Sequence, residues 1–344
     1  MNRIRGVNIG GWLVLEKWMT PELYKDYNAE DEYHLLLQMG DQKYDIIKKH
    51  RDTFITEEDF KWIEAYGLDA VRLPVGHWLF ESKYPYIEAL EYVKKAFKWG
   101  NKHNVKILLD LHAAPGCQNG FDNGGLSGVI DWPKGNNIQL TLEFLDRLAK
   151  EFKDEDSLLG IQVLNEPGIS IDIELLKDFY IKAYQIIRKH LDSERIIVFH
   201  DGFRLNSWEA FFKENSMENV ILDTHMYQVF SHEDSIRNPV EVIEKVSVLR
   251  YKEISSISYV DLMVGEWSLG IHGNTLKQLK QGYETEIFYR AVGNSLLTTF
   301  EKARSWFFWN YKLSEESTNK YIGWSFRDIV EKDYLPKKIK GEQI

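Results

Sequence analysis

The sequence predicts an α/β fold, a single (β/α)8 TIM barrel whose one catalytic domain takes in residues 1–344. Three observations predict it. Eight short apolar runs rich in β-branched residues alternate with amphipathic stretches, the order that builds a parallel sheet covered by helices. The runs are apolar throughout rather than alternating, as strands buried on both faces are. Polar or aromatic residues then stand where most of the runs end, and barrel active sites form at the C-terminal ends of strands. A doubly wound open sheet is the competing architecture. The chain has neither a GxGxxG after the first run nor a GxxxxGK[ST], the nucleotide fingerprints that often accompany that fold.

The predicted strands are Ile4–Ile9, Ala70–Val75, Val105–Leu111, Gly160–Leu164, Arg195–Phe199, Val220–Leu222, Val260–Val264 and Trp306–Trp309. Helix signals fall between them. Thr56-Glu57-Glu58-Asp59 reads as a capping box, with Phe60 and Ile63 on one face and Gly67 as the C-terminal cap. Ile87, Leu90, Val93 and Phe97 share a helical stripe, as do Leu176, Phe179, Ala183 and Ile187. Asn238-Pro239 is an N-cap followed by proline at the first helical position.

Composition bounds the function. With 344 residues, 44% hydrophobic and 28% charged, the chain can bury a large core and is not a disordered protein. The net charge of -10 argues against nucleic acid or an anionic membrane as partner, since either calls for a basic surface. Cys117 is the only cysteine, so no intramolecular disulfide can form and a reducing compartment fits. The basic start Met1–Arg5 is followed by Gly6, Asn8, Gly10, Gly11, Glu16 and Lys17 rather than an apolar signal core. No run of about 18 apolar residues is present. The expectation is a cytoplasmic protein; a secreted one trimmed of its leader would read the same.

Six run ends carry chemistry: Arg72 on the second, Asp110 and His112 on the third, Asn165-Glu166 on the fourth, His225 and Tyr227 on the sixth, Glu266 on the seventh, Trp309 and Asn310 on the eighth. Packing alone does not explain such a set, because buried ionisable groups are costly unless paired. Two glutamates on opposite walls of a barrel mouth could sit about 5–5.5 Å apart, the separation for a retaining glycoside hydrolysis. The bland alternative is a pair of structural glutamates in salt bridges with Arg72 or His225.

The ordered set resembles glycoside hydrolase family 5 of the retaining barrel clan. Asn165-Glu166-Pro167 matches its acid/base motif, and Gly265-Glu266-Trp267 its nucleophile motif. Arg72, His112, His225, Tyr227 and Trp309 match further family positions. Gly10–Glu16, Thr53–Thr56, Val71–Gly76, Asp110–Gly116, Gln118–Asn123 and Tyr227–Ser231 resemble the exo-β-1,3-glucanase branch, so the likeness runs from about residue 5 to Arg327. The chain departs from the branch's secreted, cysteine-bearing members in having Cys117 alone.

The resemblance implies a retaining β-glycosidase that needs no cofactor or metal. Glu266 would be the nucleophile, hydrogen-bonded by Arg72 and Tyr227, and Glu166 the acid/base. Repulsion by ionised Glu266 would keep Glu166 protonated in the free enzyme. Asn165 would meet the sugar 2-hydroxyl, with His112 and His225 completing the shell. Glu16 would bind hydroxyls at the non-reducing end, Trp309 would be a sugar platform, and Phe121 and Phe230 an entrance clamp beside Asn123. The substrate would be a β-glucoside or a short β-glucan oligosaccharide, cleaved as by an exo-β-1,3-glucanase or β-glucosidase. A diglycosidase, a cellulase-like endo-β-1,4-glucanase and a non-catalytic carbohydrate-binding barrel are the other readings. A metal-dependent hydrolase using Asp110, His112 and His225 is disfavoured, since Gly6-Val7-Asn8-Ile9 offers no His-x-His. Cys117, His77, Trp78 and the Glu57–Asp59 charge run are read as structural.

Overall fold

Eight strands close on themselves in the computed structural model, which describes residues 3–280 and 282–339. They are β1 (Ile4–Asn8), β2 (Ala70–Gly76), β3 (Lys106–Ala113), β4 (Leu158–Gln162), β5 (Ile196–His200), β6 (Val220–His225), β7 (Asp261–Trp267) and β8 (Ser305–Phe308). Every neighbouring pair is parallel, and β8 pairs with β1 to complete the (β/α)8 barrel.

Two cores follow from the pleat. Side chains alternate across a strand, so each strand feeds the inside and the outside of the barrel. Ala70, Leu108, Ile196, Val198, Ile221, Met263 and Phe307 form one small cluster. Gly6 belongs with them: a β-carbon there would lie 2.4 Å from the Phe307 ring and 2.6 Å from the Ala70 carbonyl oxygen, so only glycine leaves Phe307 its place. The larger cluster fills the layer between strands and helices. The helix Ile173–Ile187 contributes Leu176, Phe179, Ala183 and Ile187 to it, the stripe read from the sequence, and Tyr180 besides. Each such side chain is worth about 1.5–3 kcal/mol when fully buried.

The expected caps are present. Helix Glu57–Tyr66 begins with the Thr56 amide donating to Asp59 Oδ2 at 2.8 Å and ends on Gly67 in the left-handed region. Asn238 caps the helix Pro239–Glu244 through the Glu241 amide. Ile87 is a correction. The helix starts only at Leu90 and runs to Lys102, because Arg51 takes the carbonyls of Ile87 and Glu88 that a longer helix would use. Ile87 packs instead on a separate cluster with Tyr24, Leu35, Leu36, Trp78 and Tyr86. That cluster stabilises the long β1–β2 excursion and with it the placement of Glu16.

Strand ends differ from expectation where polar residues face inward. β6 extends past Leu222 to His225, and β7 past Val264 to Trp267. A register shift between Thr224 and His225 sets His225 opposite Glu266. Such irregularities re-aim side chains near active sites. Among the described residues no helix is long and apolar enough to cross a membrane.

Candidate active site

Arg72 lies fully buried under the barrel mouth. Its Nε donates to Gln162 Oε1 at 2.7 Å, Nη1 to Asn8 Oδ1 at 2.8 Å and Glu266 Oε1 at 2.9 Å, and Nη2 to Asn165 Oδ1 at 2.6 Å. Nη2 also lies 3.0 Å from Asp110 Oδ2. All five N–H groups are therefore used, and β1, β2, β3, β4 and β7 are tied to one cation. The Asn165 oxygen is committed to Arg72, which turns its NH2 group away, 3.4 Å from His112 Nε2. Asp110 holds His112 Nδ1 at 2.6 Å, so Nε2 is the acceptor.

Glu166 and Glu266 meet at one imidazole. His225 Nδ1 lies 2.6 Å from Glu166 Oε1 and 3.3 Å from Glu266 Oε2. Even the sum of those two distances is below the roughly 6.5–9.5 Å that an inverting pair needs to admit water between its acids. Tyr227 Oη donates to Glu266 Oε2 at 2.7 Å, and Asn123 Nδ2 to Glu166 Oε2 at 3.0 Å. Glu166 has φ 40°, a strained conformation for a residue with a side chain, of the kind that clusters at functional sites. On its other side His225 Nε2 faces Asp223 Oδ2 at 3.2 Å. Asp223 also accepts from Gln162 Nε2 and from the Gly265 amide, each at 2.7 Å. A β-carbon at position 265 would come within 2.3 Å of Asp223, which explains the glycine before Glu266.

The charge order expected from the sequence is reversed in this geometry. Burial alone would raise Glu166, but the charge and hydrogen bond of His225 bring it down to about 2. Glu266 is pushed up by burial and by Glu166, against the pull of His225, Arg72 and His112. Burial opposes a charge on His225, yet Glu266, Asp223 and Glu166 together drive it well above the ordinary histidine range. Repulsion between the two glutamates is outweighed by the imidazole between them, and the carboxylates around His225 favour a proton there over one on Glu166.

A third carboxylate, Glu16, accepts from Trp18 Nε1 through Oε2 at 2.8 Å. Burial and the charges of Asp122, Glu266 and Glu166 raise Glu16 well above the usual carboxylate range. Trp309 is only 3% exposed, and its ring stacks on His112 at 5.4 Å. The two phenylalanines behave differently, with Phe121 51% and Phe230 74% exposed. Phe230 stands edge-on to Tyr227 at 5.2 Å, whereas Phe121 joins the group along the chain, two residues before Asn123.

Glu166, His200 and His225 bring one potential ligand atom each within 4.8 Å of one another. The donor set does not suit a metal ion. The Gly202 amide donates to His200 Nδ1 at 3.0 Å, which leaves the ring proton on Nε2, and the three carboxylates around His225 favour its charged form.

A family model described as cellulase, glycosyl hydrolase family 5, matches residues 42–315. The chain belongs to that family. It is 32% identical to a glucan 1,3-beta-glucosidase of Schwanniomyces occidentalis, over 99% of this chain and 89% of that one. It is also 32% identical to a probable glucan 1,3-beta-glucosidase A of Emericella nidulans, over 99% and 92%. Among solved structures, the rutinosidase of Aspergillus niger superposes with TM-score 0.81 at 17% identity, covering 97% of this chain and 98% of that one. Endoglucanase Cel5A of Thermotoga maritima gives 0.55 at 16% identity, over 96% and 93%. At such identities these two likenesses speak for the barrel fold.

For this family 5 chain, sequence reasoning missed Asn8, Gln162, His200, Asp223, Asp122 and Trp18. Alternation held a signal for two of them: Asp223 lies two residues before His225, and Gln162 interrupts an apolar run. For Trp18 no local pattern distinguished a donor to Glu16 from ordinary packing.

Proposed function

We propose that this chain is a retaining exo-acting β-glucosidase of the glucan 1,3-β-glucosidase kind, releasing glucose from β-glucosides or short β-glucan oligosaccharides. The observation that carries the mechanism is the shared contact of Glu166 and Glu266 with His225 Nδ1. It brings two carboxyl groups close enough to work on one glycosidic bond.

In the first step Glu266 attacks the anomeric carbon, the C–O bond to the aglycone breaks, and the leaving oxygen takes the proton held between His225 and Glu166. Arg72 and Tyr227 orient Glu266 for attack. Esterification then removes the charge of Glu266. In the second step water attacks the anomeric carbon as Glu166 accepts its proton, the ester bond to Glu266 breaks, and glucose leaves with the original anomeric configuration. Asn165 presents its amide to the 2-hydroxyl. Glu16 and Trp18 bound the non-reducing end, which favours removal of one sugar at a time.

The test is release of nitrophenol from an aryl β-glucoside, with Glu266→Gln as control, followed by product analysis on laminaribiose, cellobiose and gentiobiose. Glucose as sole early product, fastest from laminaribiose, is the expected result. Absence of turnover on every β-glycoside, with oligosaccharides still bound, would leave a carbohydrate-binding barrel. Release of intact disaccharides would leave a diglycosidase, and internal cuts in longer chains an endoglucanase.

A further inference from the structure

Trp324 makes no hydrogen bond to Glu16 or Glu266, yet the donors to both lean on it. Its ring stacks on Tyr227, with centroids 5.2 Å apart at 30°, and Tyr227 is the phenol that donates to Glu266. The edge of Trp18 meets it at 5.3 Å and 70°, and Trp18 is the indole that donates to Glu16. One half-buried indole thus supports the donors to two separate carboxylates, Glu16 and Glu266.

The indole itself is held from behind. The Asn310 amide donates to the Trp324 carbonyl at 2.8 Å, and the Leu269 amide to the Gly323 carbonyl at 2.9 Å. Gly270 lies directly against the ring. A β-carbon there would fall 2.5 Å from Cε2 and Nε1 of Trp324. Gly270 has no left-handed backbone requirement, so the ring is what an alanine would have to displace.

We propose that Trp324 is a positioning residue that sets the spacing between Glu16 and Glu266, with Gly270 as the clearance that lets it seat. The inference rests on the reading of Glu16 as the group that binds the non-reducing end. A ring that fixes both donors fixes the length of the site, and therefore how well one pyranose can touch both carboxylates at once. Aromatic pairs in offset or edge contact hold such relative orientations, and misplacement of about 1 Å can cost on the order of 10²-fold in rate.

The experiment compares an aryl β-glucoside with its 4-deoxy analogue in the full chain and in Trp324→Leu, Trp324→Phe, Gly270→Ala and Glu16→Gln. Trp324→Leu is expected to lower kcat on the parent glucoside about tenfold or more and to shrink the parent-to-4-deoxy ratio of kcat/KM at least threefold. Gly270→Ala should move both quantities the same way with every site residue intact, and Trp324→Phe should recover most of the loss. A fall in activity with the ratio unchanged, while Glu16→Gln abolishes the ratio, would overturn the proposal and leave the reading of Glu16 standing. If Glu16→Gln itself leaves the ratio unchanged, both fall. Should Trp324→Leu not fold, Gly270→Ala and Trp324→Phe carry the comparison alone.

Discussion

His225 shares a single nitrogen between two carboxylates, 2.6 Å from Glu166 and 3.3 Å from Glu266. Its other nitrogen faces Asp223. We propose that the proton for the leaving group is stored on the Glu166–His225 pair rather than on one isolated acid, with Asp223 tuning its strength.

The first prediction concerns that store. Asparagine at position 225 can bridge the carboxylates but cannot hold the proton. His225→Asn is expected to slow glucosides with poor leaving groups by roughly 10²–10³-fold, within the range general acids contribute. A dinitrophenyl glucoside, which leaves without protonation, should lose less than about tenfold. Initial rates across a series of aryl glucosides would show a steepened dependence on leaving-group acidity. A uniform loss across the series would count against the store.

A second prediction uses Asp223. The carboxylate favours the charged imidazole, so Asp223→Asn lowers the pKa of the Glu166–His225 unit. The alkaline limb of kcat/KM against pH should move to lower pH by about one unit. An unmoved limb, or one displaced upward, would mean that Asp223 only holds the Gly265 backbone.

Stability against pH separates two buried groups of opposite sign. Burial pushes His50 from 6.5 down to about 4. Between those values the unfolded chain binds more protons than the folded one, so stability falls as pH drops through the window. Burial, partly offset by Arg51, pushes Glu32 from 4.5 up to about 7. Its folded state keeps a proton the unfolded state gives up, so that contribution is lost as pH rises from 4.5 to about 7. Urea unfolding of Glu32→Gln should show the variant gaining on the parent by roughly 3 kcal/mol between pH 4.5 and 8. A constant difference across that range would refute the assignment.

Phe121 and Phe230 are too exposed to support the core. Alanine at either position should leave thermal stability within about 1–2 °C, since surface changes away from special features cost little. Activity on laminaribiose should fall about three- to tenfold while hydrolysis of a small alkyl glucoside changes little. Equal losses on both substrates would remove the phenylalanines from the leaving-group side.

The barrel was legible because both its signals are local. β-branched runs mark the strands, and helix caps such as Thr56 and Asn238 mark what lies between. That Glu166 and Glu266 come together was legible because both sit in short motifs at the ends of strands. What stayed hidden depends on distances between strands. Nothing near Asp223 in the chain announces that it serves His225 and the Gly265 amide together. Nor does the segment around Trp324, some hundred residues from Tyr227, announce that the two rings stack. Ile87 went wrong for the same reason: the group that stops the helix is Arg51, on a different element. Periodicity reports which face of an element is buried, and it is silent on what the face meets.

In the proposed mechanism Glu266 carries the sugar between the two steps while Glu166 exchanges the proton. The decisive measurement is mass spectrometry of the chain after incubation with a 2-deoxy-2-fluoro-β-glucoside bearing an activated leaving group, because the fluorine slows release of the ester more than its formation. One fluoroglucosyl group per chain is expected, found after peptic digestion on the peptide that holds Glu266. A label on any other residue, or an unlabelled chain that still consumes the reagent, would contradict it.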